Sequence, residues 1–128
     1  MAHADASIGT TNYEVAIKAG HHELNADESI ALGGKDVGPA PYELLCSALC
    51  ACTAITLRMY AERKQWPLQA LHVNVHFKRE GESESIDRVL KFEGELNHDQ
   101  RARLADIAER TPVTLTLKQS ISITTTFK

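Results

Sequence analysis

The chain contains three cysteines, Cys46, Cys50 and Cys52, which all lie within seven consecutive positions. A secreted disulfide framework would instead have an even number of cysteines spread along the chain. Clustered cysteines in a reducing compartment are typical of redox chemistry, of metal binding or of burial, because a free cysteine also behaves as a small hydrophobic residue. The cluster therefore has three interpretations.

Metal binding has the least support, because a zinc site needs about four ligands that converge on one point. Cys46 and Cys50 share a helix face at a spacing of four residues, whereas Cys52 points the other way. His72 and His76 share a strand face but lie ~13 Å apart at ~3.3 Å per residue, too far for one ion. We expect no metal and no other cofactor.

A reactive Cys52 would have to be a thiolate, stabilised by a nearby cation or hydrogen-bond donor. It lies about three turns into a predicted helix, beyond the strong reach of the N-terminal dipole. Its activating group must therefore come from elsewhere in the fold or from a partner subunit. A disulfide with Cys46 would span opposite helix faces, and a Cys46–Cys50 disulfide would have to close within regular helix, where the geometry is poor.

The composition is that of an ordinary soluble globular domain, with 43% hydrophobic and 24% charged residues in 128. This length predicts one domain over residues 1–128, with the small polar residues 1–10 frayed. The net charge of −3 gives no basis for binding nucleic acid or an anionic membrane. We see neither an apolar run of ~18 residues nor a signal peptide, so we expect a cytoplasmic protein without a membrane span.

The elements before the cysteines are predicted from alternation and turn residues. Residues 13–18 alternate as a half-buried strand does, and we expect further short strands at 22–25 and 29–32. Residues 33–41 contain three glycines and two prolines, which predicts a loop. The second proline suits the first turn of a helix, expected over residues 41–64.

The elements after the helix complete an α+β pattern. In chain order they are a strand at 69–78, a strand at 86–96, a helix at 97–110, a short helix from Thr111-Pro112 and a strand at 120–127. The first two strands read as an antiparallel hairpin. Asn97 and Gln100 form a predicted capping box. Strands and helices are not regularly interleaved, so we predict mostly antiparallel pairing.

The predicted long helix is apolar nearly all round, which indicates burial on all sides. At ~1.5 Å per residue it would be roughly 35 Å long, more than the core of one such chain can easily enclose. This predicts a homodimer. On a helical wheel of ~100° per residue, four large apolar side chains lie within about 60° of Cys52: Leu45, Leu49, Ile55 and Met59.

Three segments in and around this helix form a recognisable run: GPAPYELL at 38–45, ACT at 51–53 and TLRMYA at 56–61. The run resembles the central helix of the OsmC/Ohr-like family, most of all a branch with the pattern GPxPYELL…ACTxxTLxMYAxRK. Several short segments fit the same branch: Asp27-Glu28, Gly33-Gly34, Asp36, Ile107-Ala108-Glu109-Arg110 and Pro112-Val113. The resemblance covers roughly residues 20–127 in consistent order.

The resemblance implies antiparallel sheets wrapped around a long buried central helix, in an intertwined homodimer. It also implies a chemistry, because the better-known OsmC and Ohr branches reduce organic hydroperoxides and hydrogen peroxide. In those branches a cysteine on the central helix becomes a sulfenic acid, a second cysteine condenses with it to a disulfide, and external dithiols reduce the disulfide. Cys52 matches the first cysteine.

The chain departs from those branches at three places. Thr111 stands where the family has its second, resolving cysteine, so a resolving cysteine is absent. Tyr42 stands where the family has a glutamate; Glu43, one residue later, is a second catalytic candidate, although an ideal helix points it about 180° away from Cys52. The family also uses an arginine from its N-terminal region, and no arginine precedes Arg58 here.

Three readings follow. In the first, Cys52 reduces organic hydroperoxides in oxidative or osmotic stress defence and an external thiol such as glutathione resolves its sulfenic acid. The four apolar residues around Cys52 would then line a pocket shared with the partner subunit, favouring alkyl peroxides. In the second, Cys46 or Cys50 resolves after local distortion of the helix. In the third, an inactive dimer binds a small apolar molecule and Cys52 is a core residue.

Overall fold

A computed structural model describes residues 1–128. The chain divides into two compact units, residues 1–45 and 46–128. The assignment of the whole chain to one domain stays a prediction.

The first unit contains a three-stranded antiparallel sheet in the order β1 (Ala4–Ile8), β2 (Val15–Ala19) and β3 (His22–Ala26). The strands predicted near β2 and β3 are confirmed. Residues 4–8 pair in full register with β2, so the expected fraying of residues 1–10 was wrong there. The strand expected at 29–32 was also wrong: Ile30–Leu32 forms a short 3₁₀ helix.

A buried carboxylate organises the glycine- and proline-rich loop that follows β3. Asp27 is 2% exposed. Its Oδ1 accepts the backbone N–H groups of Tyr13 and Glu28, and its Oδ2 accepts those of Lys35 and Val37. Burial alone would raise the pKa of Asp27, but the four N–H donors outweigh it and the pKa is lowered. One side chain thus fixes a segment whose regular structure is limited to one 3₁₀ turn.

Helix α1 spans Pro41–Lys64, as predicted. Its buried residues recur every four positions and form one stripe: Leu49, Thr53, Leu57 and Ala61. Burial on all sides does not occur within the chain, because Ile55 and Met59 remain 54% and 60% exposed. By length and composition α1 could cross a membrane, but the core helix of a soluble protein passes the same test.

The second unit packs a two-stranded hairpin and two further helices on this stripe. Strands β4 (Ala70–Glu80) and β5 (Ser83–Glu93) pair antiparallel, so the predicted hairpin is confirmed. Helix α2 (His98–Ala108) begins with the predicted capping box of Asn97 and Gln100. The short helix α3 (Pro112–Leu117) follows Thr111. The buried cluster consists of Leu57, Ala61, Leu68, Leu96, Leu104 and Ala108.

The strand predicted at 120–127 was wrong: these residues are exposed and form no regular structure. A strand needs a neighbour to pair its backbone groups, and no strand of the chain pairs with this segment. The alternation of Ile121, Ile123 and Phe127 has the period of a strand, but this period does not show whether a pairing partner exists. The chain is nevertheless an α+β protein in which every strand pairing is antiparallel.

Candidate functional site

Cys52 is half-buried on α1, next to the buried stripe. Its Sγ accepts the backbone N–H of Val113 at 3.5 Å and lies 4.0 Å from Thr56 Oγ1. Val113 is the second residue of α3, so its N–H is one of the amides that a helix leaves without an internal partner. A donor of this kind favours negative charge on the sulfur that accepts it.

The start of α3 explains why this amide is free to reach sulfur. Thr111 precedes the helix in an extended conformation, and Pro112 occupies its first turn. Proline has no N–H, and its fixed φ suits that position. The first amide available in α3 is therefore that of Val113, which contacts a residue 61 positions earlier in the chain.

Arg88 is the main group of the site that the sequence reasoning missed. It lies on β5 with 11% of its side chain exposed. Its Nη1 donates to Thr53 Oγ1 at 3.0 Å and to Thr114 Oγ1 at 2.9 Å, and its Nη2 donates to the carbonyl oxygen of Ala108 at 2.8 Å. A single guanidinium thus connects β5 with α1, α2 and α3.

The guanidinium of Arg88 has one acidic partner, at the long end of the ion-pair range. The nearest carboxylate oxygen, Oε1 of Glu109, is 3.9 Å away on an exposed side chain. The other oxygen of that carboxylate pairs with Lys118 at 2.9 Å. The three closest acceptors of Arg88 are neutral, and the carboxylate of Glu109 is its one ion-pair partner.

A sequence signal for Arg88 did exist. It follows Ile86 and precedes Leu90 at spacings of two, so it shares their face of β5. All three side chains are half-buried, and their neighbours Asp87 and Val89 are exposed. A charged residue in phase with the apolar face of a strand indicates an inward-pointing charge, which requires buried polar partners.

Thr111, at the position of the expected resolving cysteine, is fully buried. Its hydroxyl lies 2.6 Å from Thr114 Oγ1 and makes no capping bond to α3. Thr114 Oγ1 also lies 3.3 Å from the carbonyl oxygen of Ala108. Thr111 therefore joins the hydroxyl network around Arg88. A hydroxyl there cannot form a disulfide, so Thr111 cannot resolve an oxidised Cys52.

The other two cysteines differ from Cys52 in their surroundings. Cys50 is half-buried, and its thiol donates to the carbonyl oxygen of Val73 at 3.7 Å. Burial raises the pKa of Cys50, and the nearby Cys46 raises it further, against the weaker opposing effects of the Val75 N–H and Arg88. Cys50 therefore stays a protonated thiol at neutral pH, and a thiol is a poor nucleophile.

The remaining predicted site residues are not gathered around Cys52 in one enclosed pocket of the second unit. Leu49 belongs to the buried stripe, whereas Ile55 and Met59 are exposed. Leu45 is half-buried at the end of the first unit. Glu43 has a structural partner, because its Oε1 accepts the N–H of Ala40 at 2.9 Å at the start of α1. No group of three His, Cys, Asp or Glu side chains could hold a metal ion.

Known structures share this fold. An OsmC-like protein from Mycoplasma pneumoniae is 18% identical, with a TM-score of 0.79 over 92% of this chain and 87% of that one. An organic hydroperoxide resistance protein OsmC from Legionella pneumophila is 20% identical, with a TM-score of 0.66 over 92% and 89%. A putative organic hydroperoxide resistance protein from Vibrio cholerae, with captopril bound in one of its active sites, is 17% identical, with a TM-score of 0.65 over 92% and 84%.

Sequence comparison assigns the family. No curated protein sequence matches the chain significantly. The family model described as OsmC-like protein matches residues 33–126, a range that includes α1, the hairpin of β4 and β5, α2 and α3. The chain belongs to the OsmC-like protein family.

Proposed function

We propose that this protein reduces organic hydroperoxides at Cys52 and uses an external thiol in place of a resolving cysteine. The observation that carries the proposal is the contact between Cys52 Sγ and the N–H of Val113. The contact gives Cys52 a donor that stabilises a thiolate, whereas Cys50 lies in surroundings that keep its thiol protonated. Of these two cysteines, Cys52 is therefore the better nucleophile.

The proposed reaction begins with attack of the Cys52 thiolate on the hydrogen-bearing oxygen of the hydroperoxide. An S–O bond forms as the O–O bond breaks, and the released alkoxide takes a proton from water and leaves as an alcohol. The sulfur is oxidised by two electrons to a sulfenic acid, and the peroxide is reduced by two. One external thiol condenses with the sulfenic acid to give a mixed disulfide and water. A second external thiolate attacks the outer sulfur, forms an external disulfide and releases the Cys52 thiolate.

We also propose that the working form is a homodimer. Ile55 and Met59 expose apolar surface on the same helix as Cys52, and Ile121, Ile123 and Phe127 expose more near the C-terminus. A second copy covering the face of α1 that carries Ile55 and Met59 would complete an apolar pocket beside Cys52, together with Leu49. Such a pocket favours alkyl peroxides over hydrogen peroxide, because the alkyl group leaves water on binding.

A reducing compartment, the cytoplasm, suits three free cysteines.

The alternative is a catalytically inactive dimer that binds a small apolar molecule. The exposed apolar side chains of α1 favour it as much as they favour a peroxidase pocket. The two functions differ in the reactivity of Cys52, because a cysteine that only lines a binding site need not react quickly with peroxide.

Intact-protein mass spectrometry after a stoichiometric dose of cumene hydroperoxide tests the choice. A sulfenic-acid trap and peptide mapping locate the oxidised sulfur. We expect rapid trapping at Cys52, loss of turnover in Cys52→Ser, and nearly unchanged turnover in the matched controls Cys46→Ser and Cys50→Ser. Equal losses in all three variants would refute the assignment of Cys52. Slow, indiscriminate labelling would favour the binding function.

A further inference from the structure

Arg88 links Thr53 with Thr114, the residues that directly follow Cys52 and Val113. Its Nη1 donates to Thr53, the residue after Cys52, and to Thr114, the residue after Val113. Two connections therefore join α1 and α3 side by side. One is the contact between Cys52 Sγ and the Val113 N–H, and the other is the link that Arg88 makes one residue further along each helix.

We propose that Arg88 is a positioning residue that holds the start of α3 against α1 and so keeps the Val113 N–H on the sulfur of Cys52. The inference rests on the proposed reactivity of Cys52. Arg88 acts through Thr53 and Thr114, both of which are buried. The hydroxyl of Thr53 is itself fixed by donation to the carbonyl oxygen of Leu49 at 2.7 Å. The acceptor on α1 is thus rigidly placed.

The type of residue matters because three acceptors must be met at once. A planar guanidinium presents several N–H donors in a fixed fork, whereas a lysine ammonium is a compact charge on a flexible stem. The third acceptor, the carbonyl oxygen of Ala108, lies at the end of α2, so Arg88 also fixes the connection that leads into α3. Packing alone would not require a charge here, since burying a guanidinium carries a desolvation cost that a single carboxylate 3.9 Å away offsets only in part.

Arg101 provides a matched control. It is a half-buried arginine of the same unit, and it donates to the backbone carbonyl oxygens of Phe92, Gly94 and Leu96, each at 3.1 Å. Like Arg88, Arg101 joins structural elements through three hydrogen bonds, but none of its acceptors contacts Cys52. A substitution at Arg101 removes a comparable structural link and leaves the Cys52–Val113 contact alone.

The experiment uses full-length chains with Cys46→Ser and Cys50→Ser, so that Cys52 is the only thiol. Iodoacetamide alkylation is followed from about pH 5 to 10, a range that covers the ordinary titration of thiols. Cumene hydroperoxide reduction is measured on the same samples, and circular dichroism checks folding. The substitutions are Arg88→Met, Arg88→Lys, Thr114→Val and Arg101→Met.

We expect Arg88→Met to slow alkylation at neutral pH by about tenfold, the size expected for one lost hydrogen bond to a charged group. The midpoint of its pH–rate profile should move upward, Arg88→Lys should recover only part of the rate, and Thr114→Val should shift the profile in the same direction. Arg101→Met should keep the parent profile. If Arg88→Met does not fold, the Thr114→Val profile decides.

The inference is overturned if Arg88→Met, or Thr114→Val in its place, keeps the parent alkylation profile as Arg101→Met does. The alkylation assay reports the reactivity of Cys52 whether or not the protein reduces peroxide. It therefore separates failure of the positioning role from failure of the proposed function. A parent protein that does not reduce peroxide, but whose alkylation profile still depends on Arg88, would refute peroxidase activity and support the positioning role. If the parent reduces peroxide and Arg88→Met reduces it equally well, the positioning role alone is refuted.

Discussion

Introducing a cysteine at position 111 should supply inside the chain the resolving thiol that the proposed mechanism takes from an external molecule. Thr111 lies two residues before Val113, whose N–H contacts Cys52 Sγ, and it is fully buried. We expect Thr111→Cys to form a disulfide with Cys52 after one equivalent of peroxide. The sulfenic acid and the new thiol would condense and release water.

The effect on stability can be estimated from the loop that the disulfide closes. Residues 52–111 form a loop of about 60 residues, for which chain entropy alone gives about 4 kcal/mol of stabilisation. Losing the hydroxyl contact with Thr114 should cost about 1 kcal/mol. The oxidised variant should therefore exceed wild type by roughly 3 kcal/mol, or roughly 10 °C in Tm for a chain of this size.

The assay is intact-protein mass spectrometry before and after peroxide, followed by thermal unfolding with and without dithiothreitol. We expect peroxide to remove two hydrogens from Thr111→Cys and dithiothreitol to reverse both the mass change and the rise in Tm. Thr111→Val controls for the lost hydroxyl, and Thr111→Cys combined with Cys52→Ser controls for the added thiol. If Thr111→Cys alone never loses two hydrogens after peroxide treatment, positions 52 and 111 are not close enough to bond.

Two further predictions follow from surface and loop contacts. Met59→Glu should shift the protein from dimer to monomer in analytical ultracentrifugation, because it places a charge on the exposed apolar side of α1; the exposed and charged Glu62→Gln is the control, and an unchanged dimer would exclude this face from the interface. The pKa of Asp27 is lowered in the folded protein because its carboxylate accepts four N–H groups. These bonds stabilise the loop fully at a pH above the ordinary carboxyl pKa, and the stabilisation is lost as the pH falls through the pKa of the folded state. Asp27→Asn should therefore speed hydrogen exchange at the Lys35 and Val37 amides most at neutral pH and least in acid; a difference that grows in acid would contradict this reasoning.

Local signals predicted the elements whose ends are fixed by local chemistry. Pro41 at the first turn of α1 and the capping box at Asn97 gave starts that the structure confirms. The central hairpin followed from alternation alone, although its strands run closer to the tip than expected, because Glu80 and Ser83 still pair. Residues 29–32 were misjudged because a run of four residues is too short for periodicity to separate a strand from one 3₁₀ turn.

The site was harder to predict than the fold because its contacts join distant parts of the chain. Val113 and Cys52 are 61 positions apart, and Arg88 meets Thr53 across 35 positions and Thr114 across 26. Spacing identified Cys52 as the cysteine that faces away from the other two, but no periodicity assigns a donor to it. Only the phase of Arg88 on β5 was readable in advance, as a charge on an apolar face.

Thr111 contributes a buried hydroxyl at the position where the resemblance predicts a resolving thiol. Thr111 bonds to Thr114, and Thr114 accepts from Arg88. A thiol at position 111 makes weaker hydrogen bonds than a hydroxyl does, so a resolving cysteine would loosen one of the hydroxyls that hold the guanidinium. We therefore expect reduced Thr111→Cys to show slower first oxidation of Cys52 than wild type, even though it resolves the sulfenic acid faster. Stopped-flow measurement of both steps checks this, and a first step as fast as in wild type would mean that Arg88 holds α3 without help from Thr111.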